Sequence, residues 1–137
     1  MILSADKVDC FSIQELFSFF HDNSIFEEKN SPFLYQYVYV FEERVVGFLQ
    51  YQVIYERSEL DYLIVHPDFR RKKIASALLD FMFLNLSKEI LNVTLEVRKS
   101  NQEAIRIYEK YGFKKCAVRK KYYHGEDGLL MMKEMML

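Results

Sequence analysis

The stretch from Leu60 to Arg98 constrains the chain most, because its hydrophobic period changes twice. Leu60 to Val65 is an apolar, β-forming run that stops at His66-Pro67, where a proline removes a ladder donor. Ile74, Ala77, Leu78, Phe81, Met82 and Asn85 then share one helical stripe, apolar but for Asn85, which with Leu86 marks the helix end. From Asn92 to Arg98 the period returns to two: Val93, Leu95 and Val97 face one way, Thr94, Glu96 and Arg98 the other. A strand–helix–strand unit of this kind needs a sheet to pack against.

The flanks supply that sheet. Tyr35–Phe41 and Arg44–Tyr55 are rich in Val, Tyr and Phe and are separated by Glu42-Glu43, which predicts a β-hairpin. Upstream, Ser12-Ile13-Gln14-Glu15 has the form of a capping box, and Ile13, Leu16, Phe17 and Phe20 continue it as a helix over roughly 12–21. A loop with a short helix near Phe26 is expected next. Downstream, Ser100-Asn101-Gln102-Glu103 is a second capping box, followed by the stripe Ala104, Ile107, Tyr108 and Tyr111 and by Gly112 as the residue ending the helix. Strands are predicted near Phe113–Arg119 and Gly128–Met135. The fold class is therefore α/β in the mixed α+β sense: a central mixed, mostly antiparallel sheet flanked by helices, in one domain over 1–137.

Composition narrows the function. The 137 residues hold 19 Lys and Arg against 20 Asp and Glu, for a formal net charge of −1. That balance argues against direct nucleic-acid binding. No apolar run is long enough to span a membrane, and Asp6, Lys7 and Asp9 interrupt any signal-like core, so a cytoplasmic protein is expected. Cys10 and Cys116 lack metal or redox spacing and read as reduced thiols; His21, His66 and His124 are scattered, and no metal site is expected.

The strongest local chemistry lies in the turn after Pro67. The turn carries Arg70, Arg71, Lys72 and Lys73, and a helix is expected to begin near Arg71 or Lys72, where its first N–H groups have no partner within the helix. Four cations oppose the dipole there, and an anion would relieve the repulsion. A solvated basic run is the alternative.

The whole segment Leu60–Leu79 resembles the acetyl-CoA motif of the GNAT acetyltransferases, in which a V-x-P-x-x-(Q/R)-x-x-G-x-(G/A) pattern joins a strand to a helix. Val65, Pro67, Arg70 and Ala75 match; Lys73 stands where the family has glycine. The resemblance implies that Arg70 and the backbone of Arg71, Lys72, Lys73, Ile74, Ala75 and Ser76 hold the CoA pyrophosphate. It implies that the backbone of Leu63 and Val65 holds the pantetheine arm and acetyl group. It also implies that the strands at 60–65 and 92–98 part where acyl-CoA enters. Glycine tolerates unusual dihedrals and lets a backbone approach a phosphate closely; with ordinary helical angles at 73 a lysine is tolerated and can help neutralise phosphate, whereas a need for close approach implies weaker CoA binding.

Leu95-Glu96-Val97-Arg98-Lys99-Ser100-Asn101, followed by Ala104 to Phe113, is similar to the L-E-V-R-x-S-N-x-x-A-I-x-L-Y-x-x-x-G-F block of the bacterial ribosomal-protein alanine N-acetyltransferases. Arg119-Lys120-Lys121-Tyr122-Tyr123 and Glu126-Asp127 resemble that family's closing elements, with Gly128 for alanine. The likeness runs from about Val45 onward. It implies Glu96 as general base, Tyr108 as general acid and Asn101 as a CoA contact, with direct transfer in a ternary complex. Tyr62, Tyr122 and Tyr123 fall at the acceptor end. On the residues alone, Glu96 reads first as a surface carboxylate paired with Arg98 or a lysine, Tyr108 as a core aromatic, and Asn101 as a helix-start residue.

An α-amino group titrates near 8 and a lysine near 10.4, so a single carboxylate base suits a protein N-terminus. The resemblance points to such an acceptor, a ribosomal protein above all, with acetyl-CoA as co-substrate. Acetylation of a small-molecule amine and a non-catalytic CoA-binding module remain the alternatives.

Overall fold

The computed structural model describes residues 1–20, 26–27, 31–123 and 125–135. Its elements are β1 (Ile2–Ser4), α1 (Cys10–Phe17), β2 (Leu34–Phe41), β3 (Arg44–Ile54), β4 (Arg57–Val65), α2 (Ile74–Asn85), β5 (Asn92–Arg98), α3 (Gln102–Lys110), β6 (Lys114–Tyr123) and β7 (Glu126–Glu134), with 3-10 turns at Ala5–Lys7 and Pro67–Phe69. By internal packing the chain divides into two compact units, one of Met1–Gln52 and Tyr62–Leu86, the other of Val53–Asp61 and Ser87–Leu137. No helix among the described residues is long and apolar enough to cross a membrane.

In the first unit β1, β2 and β3 pair antiparallel, Leu3 opposite Val38 and Val38 opposite Phe48. The hairpin turns through Glu42 and Glu43, both at positive φ (48° and 65°), the backbone that two-residue hairpins need and that Asn-Gly usually supplies. Helix α1 lays Ile13, Leu16 and Phe17 on Val38, Val45, Phe48 and Ile64, all buried. The Phe17 ring meets Phe48 and Phe26 edge-on at 5.3 and 6.1 Å, close enough to add to burial. Helix α2 rests on β3 at Gly47: a Cβ there would lie 3.1 Å from Ile74 Cγ2, Leu78 Cδ1 and Tyr39 Cβ.

In the second unit β5 runs parallel to the start of β4 and antiparallel to β7, which also pairs with β6. The mixed, mostly antiparallel sheet implied by the sequence is thus borne out. The β5 period is borne out as well, with Val93, Leu95 and Val97 buried between half-buried neighbours. The parallel ladder covers only Arg57–Leu60 against Asn92–Leu95, so these two strands are not paired along their length.

Four expectations need correction. The Ser12 box does not start α1: Asp9 Oδ1 accepts the Phe11 N–H at 2.9 Å, and the helix begins at Cys10 and ends at Phe17. Ser100 does not cap α3 either; Asn101 does. The α3 stripe buries Ile105 with Tyr108, not Ile107. Helix α2 begins at Ile74, two or three residues later than the basic run implies, because Arg71 and Lys73 are left-handed. Phe26 and Glu27 carry no helix, and the rest of that expected short helix falls at 21–25 and 28–30, outside the described residues, as do His21 and His124. Strand β1 was not anticipated.

Candidate functional site

In the first unit the candidate cofactor residues follow one another without a break. Leu63 and Val65 end β4, beyond the last residue in register with β5. Tyr62 packs its ring against Phe17 and Phe48 at 5.5 and 6.3 Å, which ties it to the α1 core. After the 3-10 turn, Arg70 is extended, Arg71 has φ +64° and Lys73 φ +62°. Alternating the sign of φ in successive residues turns backbone N–H groups toward one side, a concavity suited to an anion. Lysine has no acceptor, so Lys73 gives α2 no side-chain cap, and no acidic residue stands in its first turn. The four cations are exposed. Position 73 therefore requires the backbone for which glycine is the natural residue, and the chain adopts it with lysine.

In the second unit Glu96 sits on β5 with its side chain largely covered, 18% exposed. Arg119 Nε lies 2.8 Å from Glu96 Oε1. Their ion pair is close, but the N–H is not aimed along a hydrogen bond, and this buried oxygen accepts none among the described residues. In register Arg119 and Arg98 both stand opposite Gly128. Arg98 pairs instead with Glu126 at 3.8 Å. Glu59, opposite Thr94, has its carboxyl raised above the ordinary range, first by burial and then by the charges of Asp61 and Glu96, with Arg119 opposing.

Helix α3 carries Asn101 and Tyr108. Asn101 Oδ1 accepts the Ala104 N–H at 3.2 Å, so its side chain serves as the cap. Tyr108 is 7% exposed, with its ring edge-on to Phe113 at 5.7 Å, and Gly112 (φ +96°) ends the helix as expected. Tyr122 and Tyr123 close β6, Tyr123 in register with Glu126; their side chains lie outside the described residues. The acidic turn that follows holds backbone: Glu126 accepts the Ser100 N–H at 2.8 Å and Asp127 the Lys121 N–H at 3.0 Å. The Ser100 hydroxyl, and after it the Ser100 N–H, hold the Glu126 carboxyl below its ordinary range, and the Lys121 N–H does the same for Asp127.

Sequence reasoning found Glu96 but not its partner. Arg119 stood in the quoted motif, yet only the β5–β7–β6 register brings it to Glu96. Glu59 carried no signal, since alternating charge on a strand reads as a solvated face.

Comparison with known proteins identifies the family. The family described as acetyltransferase (GNAT) matches residues 2–113. The chain is 35% identical over 86 residues to the ribosomal protein bS18-alanine N-acetyltransferase of Escherichia coli K12, a match covering 62% of this chain and 58% of that relative's length. It is 34% identical over 110 residues to an N-alpha-acetyltransferase of Saccharolobus solfataricus, covering 69% of this chain and 66% of the relative. The crystal structure of the ribosomal-protein-S18-alanine N-acetyltransferase from Escherichia coli superposes with a TM-score of 0.87 at 26% identity, over 100% of this chain and 94% of that one.

Proposed function

The chain belongs to the acetyltransferase (GNAT) family, and from that premise we propose that it moves an acetyl group from acetyl-CoA to the α-amino group of a protein N-terminus, in the cytoplasm. The observation that carries the chemistry is Glu96 Oε1, a buried carboxylate oxygen accepting no hydrogen bond. Buried acceptors are nearly always satisfied, and an amine N–H would satisfy this one. The similarity to N-terminal acetyltransferases supports the choice of acceptor.

The turn fits the cofactor. The uncapped start of α2 and the left-handed Arg71 and Lys73 present backbone donors among four cations, with no protein carboxylate in the helix's first turn to compete for them. Arg70 through Ser76 would hold the pyrophosphate, and the Leu63 and Val65 backbone the pantetheine arm. Bound there, acetyl-CoA supplies an activated acyl thioester. Glu96 takes the proton that the amine loses on forming its new C–N bond, and Arg119 holds that carboxylate in place. Tyr108 donates a proton to the sulfur as the C–S bond breaks, its ring held by Phe113. The family resemblance assigns Tyr62, Tyr122 and Tyr123 to the acceptor end and Asn101 to CoA contact.

A thiol-release assay with acetyl-CoA and short peptides tests the reading. Release is expected with a free N-terminus and should cease when that N-terminus is blocked. Equal release from an N-blocked peptide bearing lysine, or from small amines alone, would replace the acceptor; no release from any of them would remove the enzyme.

A further inference from the structure

His66 is 2% exposed, and its two ring nitrogens make incompatible demands. Nδ1 accepts the backbone N–H of Asp68 at 3.0 Å. A nitrogen that accepts carries no proton, so in the neutral ring the proton is on Nε2. Nε2 lies 3.0 Å from Nη2 of Arg44, and a guanidinium nitrogen only donates. Two donors therefore face each other. Protonating the ring makes matters worse, because Nδ1 would then oppose the Asp68 N–H as well. The other neighbours are rings, Phe19 and Phe69 at 4.2 and 5.5 Å from the imidazole, and Phe69 again at 5.6 Å from the guanidinium. None of these accepts a conventional hydrogen bond, and among the described residues no carboxylate pairs with Arg44.

The two donors open on a cavity of about 230 Å³ within the first unit, between α1 and the β2–β3 turn. Ser12 brings a hydroxyl to it, and its remaining walls are of two kinds. Leu16, Phe19 and Val45 are apolar, whereas Glu15 and Glu43 bring two exposed carboxylates to the rim. A dianion such as phosphate would meet those carboxylates and be repelled. A molecule carrying both an oxyanion and a cation would satisfy both sets. The volume is below the roughly 300–1,000 Å³ that drug-sized ligands occupy, so the occupant is small.

We propose that this cavity binds a small α-amino acid with an apolar side chain. Its carboxylate accepts from His66 Nε2–H and Arg44 Nη2–H, its ammonium lies toward Glu15 and Glu43, and its side chain rests on Leu16, Phe19 and Val45. The site is separate from the residues assigned to acyl transfer and does not depend on that assignment.

The test uses the full chain labelled with ¹⁵N, reading the His66 side-chain nitrogens by NMR. Without ligand they should report the Nε2–H tautomer; an Nδ1–H ring would overturn the proposal. Three probes then divide the ligand: L-valine, 3-methylbutanoate, which lacks its amine, and 2-methylpropylamine, which lacks its carboxylate. Valine should bind saturably, shift Nε2 and bind at least about tenfold more tightly than either fragment. Arg44→Gln, at an exposed position, should weaken valine about tenfold or more while leaving stabilisation by acetyl-CoA unchanged. Glu15→Gln with Glu43→Gln should erase the preference for valine over 3-methylbutanoate. No saturable shift at about 100 mM valine, or an unaltered affinity in Arg44→Gln, sinks the site. Equal binding of 3-methylbutanoate by the unmodified chain sinks the amino-acid assignment.

Discussion

Helix α3 begins at Asn101, whose Oδ1 accepts the Ala104 N–H and whose first turn carries Glu103. Helix α2 begins at Lys73, left-handed, with no side-chain acceptor, no acid in its first turn and three further cations just ahead of it. Both helices follow a β-strand, and both need acceptors for their leading N–H groups. One chain segment supplies its own; the other gathers charge of the sign that opposes its dipole. A closed N-terminus is architecture, stable by itself. An open one amid cations is incomplete alone and suited to an anion brought from outside. The contrast supports the proposal that the start of α2 receives the anion, while the groups proposed for proton transfer lie in the unit containing α3.

Separating binding from chemistry gives the largest expected effect. Glu96→Gln should lower kcat by about 10²–10⁴-fold while the shift in melting temperature produced by CoA stays as in the parent. A parallel loss of CoA affinity would break the division. Tyr108→Phe comes next. It keeps the ring against Phe113, so the melting temperature should hold while turnover falls at least about tenfold, the scale of a lost donor in the transition state. Full activity in this variant would leave Tyr108 as a core aromatic.

The two helix starts can also be tested against each other by stability alone. Asn101→Ala should remove about 1 kcal/mol, lowering the melting point by about 4 °C for a chain of this size. Lys73→Gly should work the other way and by less. Relief of the left-handed strain, offset by glycine's greater freedom when unfolded, leaves a gain of about 0.5 kcal/mol. Lys73→Ala should bring no such gain, since alanine keeps the strain. Scanning calorimetry of the three variants decides it: stabilisation by alanine as large as by glycine would show that charge repulsion, not backbone geometry, is what position 73 costs.

Strand β5 was legible to the residue because its alternation and burial coincide, and α2 ended where Asn85 and Leu86 said it would. The starts of helices were not. Both capping boxes matched their pattern, yet in each case a neighbouring Asp or Asn took the role, Asp9 for α1 and Asn101 for α3, because side-chain reach decides among adjacent candidates. Positive φ at Arg71, Glu42 and Glu43 was invisible for another reason: the usual marker of that conformation is glycine, and none stands at these positions; at Lys73 only the family's glycine hinted at it. At the site, the motif identified Glu96 and Tyr108, but not that Arg119 faces the carboxylate or that Glu126 and Asp127 are engaged with backbone. Those are consequences of strand register, and register is set by packing over the whole sheet.

Gly47 has a consequence out of proportion to its chemistry. With three atoms at 3.1 Å from any Cβ built on it, even a methyl there needs its neighbours to give by a few tenths of an ångström, and a large side chain would act as a shim beneath the first turns of α2, displacing first the end that starts at Ile74. Every cation of the 70–73 turn would still be present, correctly spelled in the sequence, but aimed wrongly. A screen for inactive variants should therefore return position 47 alongside Glu96, and a reader of that list would find, amid residues that touch reactants, one that matters only because nothing is attached to it.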